Sequence, residues 1–84
     1  MTKYQEALLH RINALCKENN LTYYALSYKA DVPLSTVMNI KKGKSANPGI
    51  FTIMKLCDGL GVSMKEFFDS EEFENAIIES RDEK

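Results

Sequence analysis

The chain has 84 residues, 44% of them hydrophobic and 27% charged, with a formal net charge of −1. That length supports one domain, which buries only roughly 60–65% of its unfolded surface, and the composition excludes a disordered chain. No apolar run approaches the ~20 residues of a membrane span, so a transmembrane helix is excluded.

The opening stretch Met1-Thr2-Lys3-Tyr4-Gln5-Glu6 lacks the apolar segment of a signal peptide, so a cytoplasmic protein is expected. Thr2 followed by Gln5 is the pattern of a capping box, in which hydroxyl and amide satisfy orphan backbone donors. Leu8, Ile12 and Leu15 then recur at helical spacing, one turn after Tyr4, and Asn19-Asn20 is a plausible stop. Thr22 is positioned to cap a second short helix from Tyr23 to about Ala30, with Leu26 and Ala30 inward. Asp31-Val32-Pro33 breaks it, and Pro33 suits the first turn of a third helix over 34–42, with Val32, Val37 and Ile40 inward. Gly43 is a natural end for that helix.

The stretch 44–49 reads as a polar loop. A fourth helix follows, with Ile50, Ile53, Leu56, Cys57 and Leu60 as its apolar stripe and Gly61 as its stop. Ser63 and Glu66 form a second capping-box pattern, opening a fifth helix that ends at Phe67-Phe68. Ser70 opens an acidic segment in which Phe73, Ala76 and Ile77 share a face. The expected fold is therefore all-α, with five helices in a domain over residues 1–68 and a short acidic helical segment over 69–84.

The small net charge hides an asymmetry. Residues 1–64 carry eight Lys or Arg against four Asp or Glu, a net +4, whereas residues 65–84 carry three against eight, a net −5. The charge at a docking face matters more than the whole-chain sum. Two helices over 22–30 and 34–42, joined by about three residues, have the spacing of a helix-turn-helix. Leu34, Ser35, Met38 and Asn39 would then lie on the outer side of the second helix, with Lys41, Lys42 and Lys44 at its end. Spacing alone fits a helical bundle with an ordinary solvated face equally well.

The stretch from Leu21-Thr22 through Val32, Ser35-Thr36 and Ile40 to Gly43-Lys44 resembles the helix-turn-helix of lambda-type phage repressors and Cro, within the xenobiotic-response-element class of bacterial regulators. The downstream run from Asn47-Pro48 to Leu60-Gly61-Val62-Ser63 and Phe67-Phe68 resembles the same family's loop, fourth helix, turn and fifth helix. The resemblance spans roughly residues 4–68 and implies a five-helix domain that binds double-stranded DNA as a transcriptional regulator, with repression the expected outcome. It implies base-reading positions at Leu34, Ser35 and Asn39, to which the outward Met38 is added. A carboxamide such as that of Asn39 pairs bidentately with adenine in the major groove. It implies backbone contacts at Tyr23, with Thr36, Lys42 and Lys44 as further candidates, and the amides of Gly49 and Ile50 at the fourth helix's start. Members of the family often bind as dimers, with half-sites about 34 Å apart. A homodimer is therefore expected, with Phe73 and Ile77 as candidate contacts.

The chain departs from the family's pattern in the turn. Asp31 stands where glycine is usual, Pro33 replaces a hydroxyl or amide cap, Leu34 replaces a polar reader, and Lys41 stands where many members carry an acid. The alternative is an antitoxin or interaction module of the same fold with a small protein partner, such as a toxin or antirepressor. An enzyme is not expected: His10 is the only histidine, and no nucleophile–base pair or Gly-rich phosphate loop is present. Cys16 and Cys57 read as buried thiols rather than a disulfide or metal pair, and no metal or cofactor is expected.

Overall fold

The computed structural model describes residues 2–44 and 47–81, so Ser45 and Ala46 of the expected polar loop and the acidic Asp82 and Glu83 lie outside the described residues. Among the described residues there are six helices and no strand: α1 (Lys3–Glu18), α2 (Tyr23–Ala30), α3 (Leu34–Lys41), α4 (Ile50–Leu60), α5 (Met64–Phe68) and α6 (Glu71–Arg81). None is long and apolar enough to cross a membrane.

Each boundary follows from local chemistry. The α1 capping box forms: the Gln5 amide N–H donates to Thr2 Oγ1 at 3.1 Å, and the Thr2 N–H donates to Gln5 Oε1 at 2.7 Å. Asn20, at φ +54°, turns the chain out of α1, a conformation Asn accepts more readily than most residues. Thr22 Oγ1 receives the Ala25 N–H and starts α2. Asp31 closes α2 in the left-handed region, at φ 55° and ψ 45°. Gly43, at φ +72°, ends α3: its N–H donates to the Ile40 carbonyl while the Lys44 N–H donates to that of Asn39. These two bonds satisfy carbonyls that the helix end would otherwise leave unpaired.

Four expectations are corrected. The third helix ends at Lys41, and Lys42 is its cap rather than its last residue. Pro33 is the N-cap of α3 rather than a residue of its first turn, and, as expected of a proline in place of a hydroxyl or amide cap, it makes no side-chain capping bond. At α5 only half of the capping box forms, the Ser63 hydroxyl accepting from the Glu66 N–H at 3.0 Å. Ile50 is not in the core: at the first position of α4 it has no helix layered over it and is 55% exposed.

The core holds Ile12, Leu15 and Cys16 of α1, Leu26 and Ala30 of α2, and Val37 and Ile40 of α3, with Val32 from the turn. Ile53, Leu56, Cys57 and Leu60 of α4 and Phe67 of α5 complete it. The inward set expected for the helix-turn-helix is thus buried in full. α4 and α2 make one close approach, at Gly59 and Ala30. A Cβ added at Gly59 would lie 2.8 Å from both the Cβ and the backbone nitrogen of Ala30. Only glycine lets α4 come that near α2.

Two further anchors join distant parts of the chain. Arg11 reaches from α1 to the end of α5, its Nε donating to the Phe67 carbonyl at 2.8 Å and its Nη2 to that of Glu66 at 2.7 Å. α6 packs on α1, burying Ala76, with Lys3 Nζ 3.7 Å from Glu79 and His10 Nδ1 2.9 Å from both oxygens of Glu72. Phe73 packs against the core, its ring centroid 5.1 Å from that of Phe68 and 6.1 Å from that of Phe67.

Candidate nucleic-acid interface

α2 and α3 meet across the turn at Asp31-Val32-Pro33, and the burial of Val32, Val37 and Ile40 turns one side of α3 inward. The opposite side is open. Leu34, Ser35 and Asn39 are exposed and Met38 is half-buried. Leu34 lies one turn from Met38, and Ser35 one turn from Asn39, so the four side chains form a single outward face. It offers a carboxamide, a hydroxyl and two apolar groups, a mixture suited to base edges and thymine methyls.

Cations frame this face. Lys41, Lys42 and Lys44 are all exposed where α3 ends, which places positive charge at the negative pole of the helix dipole. Thr36 is half-buried on the flank of α3. Gly49 is the N-cap of α4, and both Gly49 and Ile50 are exposed. No side-chain cap occupies the amides that open α4. Gln5 Nε2 donates to the Gly43 carbonyl at 3.3 Å, tying the start of α1 to the turn that ends α3.

Tyr23 departs from expectation. Its side chain is half-buried against the core, and its hydroxyl is screened from solvent with no hydrogen-bond partner. As it stands, that hydroxyl does not reach a phosphate. Burial raises its pKa above the ordinary phenol value, and the nearby Cys16 adds to the rise. The ring instead carries Lys41, whose Nζ lies 4.9 Å from the ring centroid. The tyrosines open to solvent are Tyr4, Tyr24 and Tyr28. Neither Phe73 nor Ile77 belongs to this face: Phe73 is taken up by its own core, and Ile77, on α6, is 42% exposed.

Sequence reasoning did not single out Gly59, Arg11 or the Lys41–Tyr23 pair. A glycine within an apolar helix, two residues before the stop at Gly61, is the one available signal for the first, since such a residue usually has a packing reason.

The model of the Cro/C1-type HTH DNA-binding domain matches residues 11–72, from the middle of α1 to the first turn of α6. No curated protein and no solved structure matches the chain. The matched span holds the whole helix-turn-helix and most of the core, so the chain belongs to the Cro/C1-type HTH DNA-binding domains and is a DNA-binding protein of transcription regulation.

Proposed function

We propose that the protein is a sequence-specific repressor that lays α3 in the major groove of double-stranded DNA and acts in the cytoplasm as a homodimer. The observation that carries this reading is the outward face of exposed Leu34, Ser35 and Asn39 and half-buried Met38, backed by a buried face and ending in exposed lysines. Asn39 reads an adenine through its carboxamide, Ser35 donates to or accepts from a neighbouring base, and Leu34 covers a thymine methyl. Met38 packs beside them against the floor of the groove.

Thr36, Lys42 and Lys44 contact the phosphate backbone, and the amides of Gly49 and Ile50 hold a further phosphate at the positive end of α4. Tyr23 serves by positioning Lys41 rather than through its own hydroxyl. The phosphate contacts set register and affinity, and the four outward side chains set preference.

Selection of bound fragments from random duplex DNA, followed by titration of Asn39→Ala on the selected site, tests this. The substitution should cost about 1–3 kcal/mol and relax preference at one base pair. Replacing Lys42 or Lys44 by Gln should weaken all duplexes alike and lower the salt slope by about one per phosphate contact. If Asn39→Ala weakens every duplex equally, Asn39 is not a reader. Failure to enrich any duplex would remove the proposal.

A further inference from the structure

The bond from Gln5 to Gly43 does more than join two distant parts of the chain. The Gly43 carbonyl accepts from Gln5 Nε2, and the Lys44 N–H donates to the Asn39 carbonyl at 2.9 Å. That carbonyl and that N–H belong to one peptide unit, which is planar from one Cα to the next. Holding its oxygen from α1 and its N–H from α3 fixes the plane. It thereby fixes the Cα from which the exposed Lys44 side chain departs.

We infer that Gln5 is a positioning residue for DNA binding: it holds the Gly43–Lys44 peptide so that Lys44 meets the phosphate backbone in register with Asn39. The inference rests on the proposed phosphate contact of Lys44 and deepens it by naming what aims that lysine.

Gln5 is well placed for this because its own amide is held. Its Oε1 accepts the Thr2 N–H at 2.7 Å, and its backbone N–H donates to Thr2 Oγ1 at 3.1 Å. The capping box of α1 thus orients the side-chain amide and turns its Nε2 toward Gly43. The exit of α3 is also where such a hold matters. Gly43, at φ +72°, lacks the Cβ that restricts other residues, so the chain is freest to turn at this point. Two backbone bonds fix the N–H groups of Gly43 and Lys44, and Gln5 fixes the remaining oxygen between them. The chain beyond Lys44 returns to the same place. Asn47, Pro48 and Ile50 line a groove of about 360 Å³ together with Tyr4, Gln5 and Leu8 of α1. The exit of α4 supplies an internal control. There Gly61, at φ +74°, donates to Asp58 and the Val62 N–H donates to the Cys57 carbonyl, the same pair of bonds formed elsewhere in the fold.

Two substitutions test the inference. Gln5→Met removes the donor without adding charge. Gln5→Glu also removes it but keeps an oxygen for the Thr2 N–H, so the capping box survives. Amide exchange followed by NMR without DNA gives the first readout. In both variants the Lys44 N–H should exchange about two- to tenfold faster, the worth of one hydrogen bond, while the Val62 N–H keeps its wild-type rate. Duplex titration gives the second. Both variants should raise Kd by about the same two- to tenfold on selected and unrelated duplexes alike, because the binding-competent orientation becomes a fraction of the population. Gln5→Met should add nothing to Lys44→Gln, yet keep its full effect on Lys42→Gln, a split that general loosening would not produce.

Unchanged exchange at Lys44 overturns the inference, and so does equal acceleration at Val62. Weakening of duplex binding by Gln5→Glu but not by Gln5→Met also overturns it, since added charge then explains the effect. Full weakening by Gln5→Met in the Lys44→Gln protein does the same. If Lys44→Gln itself binds as tightly as the wild type, the phosphate contact fails and the inference with it. That result differs from one in which Lys44→Gln weakens binding and Gln5→Met does not, which sinks the inference alone.

Discussion

Gly59→Ala would stabilise an isolated helix, because glycine in a helix interior costs about 1 kcal/mol relative to alanine. In this fold the sign should reverse. The added Cβ would meet the Ala30 Cβ and backbone nitrogen at 2.8 Å and its Cα at 2.9 Å. Carbon atoms pack at about 3.5–4.0 Å, so α4 and α2 must separate by roughly 0.7–1.2 Å. Two of the three obstructing atoms are backbone and cannot rotate aside. Separation along this seam loosens Leu26, Leu56 and Leu60, all buried. Overpacking of this kind costs about 3 kcal/mol at the upper end of its range, which leaves a net loss of about 2 kcal/mol after the propensity gain. For a domain of this size the melting temperature should fall by roughly 8–16 °C. Thermal unfolding followed by circular dichroism reads this directly. Gly49→Ala is the control, since a Cβ there meets nothing within 4 Å. The double substitution Ala30→Gly with Gly59→Ala should recover only part of the loss, because the Ala30 backbone stays where it is. A Gly59→Ala protein that melts at or above the wild-type temperature would refute the close-approach argument and leave propensity alone in charge.

Arg11→Met keeps the apolar stem but removes both hydrogen bonds to the α5 carbonyls, and should cost about 1–2 kcal/mol in urea unfolding; an unchanged midpoint would mean water replaces the guanidinium without loss. Asp31→Gly should raise stability by up to about 1 kcal/mol, because an L-residue in the left-handed region is strained by that order. Asp31→Asn should leave the melting temperature nearly unchanged yet tighten duplex binding at low salt, so equal effects of the two substitutions on melting would argue against strain. Burial pushes the Cys16 and Cys57 thiols up, an effect that the backbone hydrogen bond at Cys57 partly offsets. Both should therefore react with a thiol reagent only as fast as the chain unfolds, and rapid labelling of the folded protein would contradict their burial. The same shifts fix a pH dependence. The folded state holds these protons more tightly than the unfolded one, so their contribution is complete at neutral pH. It should decline as pH rises past the ordinary cysteine value of about 8.5, visible as a falling melting temperature on the alkaline side alone.

The features legible in the sequence were those decided within a few residues. The caps at Thr2, Thr22 and Ser63, the left-handed exits at Gly43 and Gly61, and the inward set Leu26, Ala30, Val32, Val37 and Ile40 all follow from side chains acting on their own helix. Pairings across the fold were not legible. Nothing near Arg11 announces that its partners are the carbonyls of Glu66 and Phe67, and nothing near Ala30 announces Gly59. Periodicity assigned Ile50 to the core because it continues the α4 stripe by one step, but the first turn of α4 ends at the groove rather than under another helix. Tyr23 shows a different limit. The family resemblance implies a phosphate contact at the head of α2, whereas the burial of the Tyr23 hydroxyl depends on how α1 brings Cys16 alongside. For the acidic end, the sequence left core closure and dimer contact open; the pairing of Glu72 and Glu79 with His10 and Lys3 of α1 accounts for part of its charge within the chain.

The turn also shows how the fold separates orientation from recognition. α3 begins without a side-chain cap, yet it forms, because the Pro33 carbonyl accepts the N–H groups of both Thr36 and Val37 and the burial of Val32, Val37 and Ile40 holds the helix down. Orientation is thus set entirely on the inner side and by the backbone. Leu34, Ser35 and Asn39 take no part in it, being exposed. Substitutions there should change stability by no more than about 0.5 kcal/mol, the ordinary range for surface sites. That independence has a consequence for charge. A net charge of −1 looks unsuited to a polyanionic ligand only if charge is summed over the chain. Here two acids of α6 face α1, and the exposed lysines cluster where α3 ends, so the local field can favour phosphate while the total does not. Over the distances of a docking contact, salt screens the remote carboxylates within about 8–10 Å and leaves the adjacent lysines in effect. Neutralising Glu72 and Glu79 should therefore alter duplex affinity far less than neutralising Lys42 and Lys44, although each change moves the net charge by two.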